Sequence, residues 1–146
     1  MRTASGRRSD PFLAQVLYRL KSRLQAFGIP MLPRLLGLGA SMVAQVEIGD
    51  PVVIEPGVQI AHGQVVLDGF TLIRTGTVIA PFVSIGLRAG TFEGPVIEEH
   101  VNVGTGARIL GPLRVGAGAR IGANAVVTKD VAAGATVVGI PARPLQ

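Results

Sequence analysis

Cysteine and tryptophan are absent from this 146-residue chain, and histidine occurs only twice. Without a thiol there is no disulfide scaffold, no thiolate zinc or iron–sulfur site and no cysteine nucleophile, so a reducing, cytoplasmic location is expected. Long apolar runs are missing too. Mean hydropathy is +0.48 and 48% of residues are hydrophobic, yet no stretch of about 18 apolar residues occurs, and no membrane span is expected. At 15.1 kDa there is room for one core with a short appendage.

Acidic residues are scarce at one end only. Residues 1–45 carry Arg2, Arg7, Arg8, Arg19, Lys21, Arg23 and Arg34 against the single acid Asp10, whereas the rest of the chain is close to neutral. A nucleic-acid reader would carry its basic stripe on the folded part, interleaved with aromatics, so no nucleic-acid partner is expected. Met1 to Arg8 reads as a disordered basic tail, although its Arg-rich, acid-poor start imitates a transit peptide. Asp10 and Pro11 then form a helix start, with a capping carboxylate and a proline at a position that needs no N–H. Leu13, Val16, Leu17, Leu20, Leu24 and Phe27 recur at spacings of three and four and give this helix one apolar face, expected to dock on its own domain or on a neighbouring subunit.

From residue 46 a six-residue repeat governs the chain. Ile48, Ile54 and Ile60 are six apart, as are Leu67, Ile73, Ile79 and Ile85, and again Ile97, Val103, Ile109, Val115, Ile121 and Val127. Small or β-branched residues stand two positions before most anchors, and glycine often follows. Neither a helix, with its period near 3.6, nor a flat sheet, with its period of 2, produces strict sixes. Short strands joined by tight corners do, so the spacing predicts a parallel β-solenoid with 18-residue triangular coils, about four of them, whose anchors stack inside. The register breaks twice. A seven-residue step from Ile60 to Leu67 falls in Ala61-His62-Gly63-Gln64, and a twelve-residue step from Ile85 to Ile97 replaces one hexad with the loop Gly86–Gly94, which carries Arg88 and Glu93. His100 sits at a corner of an unbroken run and reads as a solvated corner residue. His62 lies in a break, and Glu47, on the edge one coil below residue 65, is a candidate partner: a carboxylate on one imidazole nitrogen raises the basicity of the other and makes a general base for an alcohol.

The runs Val103-Gly-Thr-Gly-Ala-Arg-Ile109 and Val115-Gly-Ala-Gly-Ala-Arg-Ile-Gly122 resemble the hexapeptide-repeat acyltransferases. That resemblance implies a left-handed parallel β-helix over residues 46–135, an N-terminal helical segment within residues 1–45, a coenzyme-contacting tail over residues 136–146, and a homotrimer. The stretch from Val46 to His62 is similar, without a gap, to the serine acetyltransferase pattern from dyad acid to catalytic histidine. It implies catalytic roles for His62 and Glu47, with Glu47 standing where that family has aspartate. Similarity to the galactoside and maltose acetyltransferases implies acetyl-CoA as co-substrate, held by Thr105, Ala123, Thr128, Lys129 and Arg143. Two departures bear on the acceptor. Ala61 stands where serine acetyltransferases have an aspartate for the amino group of serine, and Glu93 with Gly94 stands where they carry an Arg-His pair for its carboxylate. With Arg88 as the remaining cation of the loop, Ala61, Arg88 and Glu93 are the candidate acceptor-binding residues, and an alcohol other than serine, such as a sugar hydroxyl, is at least as well suited.

Two other classes use this architecture. A γ-class carbonic anhydrase needs three histidines per metal, more than the chain contains, so no metal is expected. A non-catalytic solenoid scaffold is distinguished from the enzyme by whether His62→Ala changes anything besides stability.

Overall fold

The computed structural model describes residues 45–61 and 63–145, together with Val16, Arg19, Leu20, Arg23 and Leu24. These last five are helical, and Val16 and Leu20 are exposed. The expected helix start at Asp10 and Pro11, and the rest of the basic tail, lie outside the described residues.

The hexads wind into a parallel solenoid. Its first coil is β1 (Val46–Ile48), β2 (Val53–Ile54) and β3 (Gln59–Ile60), and its second is β4 (Val65–Leu67), β5 (Phe70–Ile73) and β6 (Val78–Ile79). The third is β7 (Ser84–Gly86), β8 (Glu93–Ile97) and β9 (Asn102–Val103), and the fourth β10 (Arg108–Leu110), β11 (Arg114–Val115) and β12 (Arg120–Ile121). A fifth follows: β13 (Val126–Val127), a parallel bridge from Val131 to Val115, and β14 (Thr136–Val138), after which β15 (Arg143–Pro144) folds back antiparallel on β14. Three faces result. Face 1 stacks β1-β4-β7-β10-β13, face 2 stacks β2-β5-β8-β11, and face 3 stacks β3-β6-β9-β12-β14-β15.

Among the described residues there are thus five turns, where the six-residue spacing predicts about four. Beyond Val127 the hexad rule lapses, because Val131 and Val137 close the last coil with only 16 residues between the paired positions Arg120 and Thr136. Val131 and Val137 are nonetheless buried. Inside, anchors and the residues two positions earlier share the inward side of each strand, as the two-residue alternation of extended chain requires. Leu67, Ile73, Ile79, Ile85, Ile97, Val103 and Ile109 are wholly buried, as are Ala107, Ala119 and Ala125 two residues ahead of their anchors. Each large anchor contributes roughly 1.5–3 kcal/mol by leaving water. Among the described residues two threonines are buried: Thr71 donates its hydroxyl to the Asp68 carbonyl at 2.6 Å, and Thr77 reaches across to the next coil, to that of Glu98 at 3.1 Å.

On two of the three edges the corner uses a left-handed residue three positions past the anchor. Between faces 2 and 3 that position is Gly57, Gly76, His100, Gly118 and Gly134 in successive coils. Between faces 3 and 1 it is Phe82, Gly106 and Asn124, with Gln64 displaced by the seven-residue step. His100 therefore fills a corner slot otherwise held by glycine. It is exposed, and its N–H donates to the Thr75 carbonyl at 3.0 Å.

Candidate functional site

The first register break lies on the edge between faces 3 and 1. Its extra residue lengthens the first coil from 18 to 19, so Val46 pairs with Val65 and Glu47 with Val66. Glu47 thus stacks under residue 66, one position on from the expected residue 65, and its exposed side chain lies on the outer side of face 1. Gln64 absorbs the insertion: its backbone N–H donates to the Gln45 carbonyl at 2.6 Å and its side-chain amide to that of Gln45 at 3.1 Å. His62 lies outside the described residues. Its neighbour Ala61 is exposed and donates its N–H to the Ile79 carbonyl at 2.9 Å.

That bond begins a column along the same edge. Ala80 donates to Val103, Gly104 to Ile121 and Gly122 to Val137, so Ala61, Ala80, Gly104, Gly122 and Val138 succeed one another from the first coil to the fifth. Thr105 and Ala123 follow two of these glycines, one coil apart, both exposed and small. The coils approach so closely here that a Cβ on Gly104 would lie 2.7 Å from the Ile121 carbonyl oxygen and 2.8 Å from the Ala123 nitrogen. At the top, the Val126 N–H donates to Gly139 and the Ala142 N–H to Val126, which brings the exposed Arg143 to the same end of this edge.

The second break lies on a different edge, between faces 1 and 2. Its loop is closed by Thr91, whose N–H and hydroxyl both reach the Arg88 carbonyl, at 3.0 and 2.9 Å. Leu87 packs over Gly69 in the coil below, and the Arg88 side chain leans on Gly111 in the coil above, where a Cβ would come within 3.3 Å of it. Arg88, Phe92 and Glu93 are exposed. Thr128 and Lys129 follow β13 and stand on this second edge as well.

The candidate residues therefore form two groups. Ala61, Thr105, Ala123 and Arg143 share one edge, with Glu47 on the adjoining face, while Arg88, Glu93, Thr128 and Lys129 share the next. Face 1 separates them within a single chain, so a ligand touching both groups must cross that face or lie between two copies. Among the described residues no group of three or more His, Asp or Glu side chains is arranged to hold a metal ion, and no helix is long and apolar enough to cross a membrane.

One contributor to the first edge escaped the sequence reading. Arg108 donates from its guanidinium to the corner carbonyls of Phe82, of Gly106 at 3.0 Å and of Ala107 at 3.3 Å, bracing two coils where the column runs. Its signal was its place one residue before an anchor, an outward position that faces the preceding corner.

Hexad coils with inward aliphatic anchors, left-handed corners and interruptions confined to edges define the hexapeptide-repeat class of β-solenoid proteins. Residues 94–129 match the family described as bacterial transferase hexapeptide (six repeats). Over 136 residues the chain is 36% identical to the serine acetyltransferase of Helicobacter pylori strain J99, covering 90% of this chain and 79% of that protein. It is 36% identical over 136 residues to the serine acetyltransferase of Synechococcus elongatus, covering 90% of this chain and 55% of that one. A solved serine acetyltransferase in complex with CoA superposes with a TM-score of 0.85 at 32% identity, over 93% of this chain and 57% of that one. The chain belongs to the serine acetyltransferase family. It spans about half the length of several of the curated relatives that it matches.

Proposed function

We propose that this protein is an acetyl-CoA-dependent O-acetyltransferase acting on a small hydroxyl compound, with His62 as general base and Glu47 as the carboxylate that orients it. The observation that carries the reading is the single edge shared by the Ala61–Gln64 break and the Thr105, Ala123 and Arg143 column. Four coil steps of about 4.8 Å separate Ala61 from Val138, about 19 Å in all, a span suited to an extended pantetheine arm. The edge fits such a ligand because Thr105 and Ala123 are small and exposed, leaving room for the arm beside them. Arg143 and Lys129 supply cations for the phosphates, and Thr128 contributes a hydroxyl from the second edge. A serine acetyltransferase structure with bound CoA is consistent with this use of the fold. Residues 46–135, extended by β14 (Thr136–Val138), then form the acyltransferase solenoid, residues 1–45 an N-terminal segment, and the rest of residues 136–146 the coenzyme-contacting tail.

In the reaction His62 accepts the hydroxyl proton as the acceptor oxygen bonds to the acyl carbon. The carbon–sulfur bond breaks, and the departing thiolate takes the proton from His62, without a covalent enzyme intermediate. Because Arg88 and Glu93 lie on the neighbouring edge, the acceptor site is completed between copies of the chain in a cytoplasmic homotrimer. Light scattering at micromolar concentration is expected to give about 45 kDa, three times the 15.1 kDa chain. A mass near that of one chain would overturn the shared site.

The acceptor follows from charge. A zwitterion entering a partly closed site needs a counter-charge at each end. Ala61 offers nothing to an ammonium group, and Glu93 repels a carboxylate. Neutral alcohols, sugars included, meet no such penalty, so L-serine is expected to be the poorer acceptor, and Ala61→Asp with Glu93→Arg to improve its use. Comparing kcat/KM across an acceptor panel decides it. A value for L-serine on the order of 10⁴ M⁻¹s⁻¹ or above would show that Arg88 holds the serine carboxylate and that the acceptor is serine.

A further inference from the structure

An alternating ladder of charges runs up the outside of the solenoid near the edge between faces 2 and 3. Glu55 belongs to the first coil, Arg74 to the second, Glu98 to the third and Arg114 to the fourth. Arg74 lies 3.4 Å from Glu55 on one side and, on the other, 2.9 Å from Glu98 and 3.9 Å from Glu99. Glu98 uses its second oxygen to reach Arg114 at 2.6 Å. The backbone joins in: the Thr75 N–H donates to Glu55 at 2.9 Å, and the Arg114 N–H to Asp130 of the fifth coil at 2.8 Å. Glu98 is the hub, with its side chain only 13% exposed, and Arg74 is about one-third exposed. Arg114, by contrast, is 66% exposed, so the shelter belongs to Glu98, and the outer members of the ladder are open to salt as surface pairs are.

Its position is informative. Glu98 is the first residue after Ile97, where the chain returns from the Gly86–Gly94 loop. That loop lengthens the third coil, so that Leu72 pairs with Val96 and Ile73 with Ile97, 24 residues on, after a register shift next to Phe70. Hexad anchors alone specify this return weakly, since one aliphatic anchor packs much like another. Charge discriminates where apolar packing does not. If the third coil skipped the second, Glu98 would stack on Glu55, and if the fourth skipped the third, Arg114 would stack near Arg74.

We propose that Glu98, through Arg74 and Arg114, is a register lock that fixes the coil carrying the Arg88–Glu93 loop and so positions that loop. The lock stands on the ion pairs alone. Its consequence for acceptor binding rests on the function proposed above. It acts against mispaired coils as well as for the correct one.

Hydrogen exchange across residues 84–97 tests it without reference to activity. In the near-isosteric Glu98→Gln, exchange there is expected to rise about tenfold, with the fifth coil unchanged, and in the native protein it is expected to rise with salt. The exchange variant Arg74→Glu/Glu98→Arg separates a ladder from an isolated pair. An isolated pair is restored by swapping its partners. In the ladder the swap sets a carboxylate at position 74 against that of Glu55 and a guanidinium at position 98 against that of Arg114. This variant is therefore expected to be less stable than Glu98→Gln, and failure to fold agrees with that. Unchanged exchange in Glu98→Gln, or a swapped variant as stable as the native protein, would overturn the lock. If activity is found, Glu98→Gln is expected to raise KM for the acceptor severalfold, leaving KM for acetyl-CoA unchanged. Altered exchange with no change in acceptor KM would retain the lock and reject its link to the acceptor.

Discussion

Replacing His62 with alanine is expected to lower turnover by about 100-fold or more, the scale of general-base catalysis, with the solenoid intact. Uncatalysed removal of a hydroxyl proton is unfavourable near neutral pH, and the chain has few alternatives to replace the base. It contains no cysteine, and His100, the other histidine, fills a corner between faces 2 and 3, away from the Ala61–Gln64 break. Glu47→Gln removes the orienting charge but leaves the base, so its loss is expected to be smaller. If thiol release from acetyl-CoA were unchanged in His62→Ala, the chemistry would not depend on this histidine. The edge would then serve binding alone.

A second large effect concerns the coils. A Cβ on Gly116 would fall on the backbone of the fifth coil, 2.7 Å from the Ala133 Cα and 2.9 Å from the Ala132 carbonyl carbon, and against the Ala133 nitrogen. Backbone cannot rotate aside as a side chain can. Gly116→Ala is therefore expected to cost about 3 kcal/mol through forced separation of the fourth and fifth coils. Gly118, two residues away, is the control. A Cβ there meets open space, but φ is +68°, so alanine is expected to cost only about 1 kcal/mol of left-handed strain. Denaturant midpoints at matched protein concentration measure both. Equal losses at the two positions would mean that conformation, and not contact between coils, sets the cost.

The sequence disclosed the solenoid because each hexad repeats one physical event, an inward aliphatic side chain followed by a corner. Even the breaks were legible, since a seven or a twelve among sixes stands out. Other features lacked such a signal. The fifth coil closes in 16 residues, and Val131 and Val137 fall off the established phase, so the six-residue spacing predicts one coil fewer. Phe82 occupies a left-handed corner, which its bulky residue type does not advertise. The Glu55–Arg74–Glu98–Arg114 ladder joins residues whose separations in sequence vary with coil length, so no fixed spacing reveals it. The candidate residues themselves were legible as types and spacings, but their division between two edges became visible only once the corners were in order. That division makes Arg88 and Glu93 partners of a neighbouring chain's Ala61 edge in the proposed trimer.

The most direct test follows acetyl-CoA and a hydroxyl acceptor together, counting free thiol released and acetyl ester formed by mass. Transfer along the Ala61–Val138 edge predicts one ester for each thiol, dependent on the acceptor and lost in His62→Ala. Thiol release without ester, or no release with any hydroxyl compound, would contradict it.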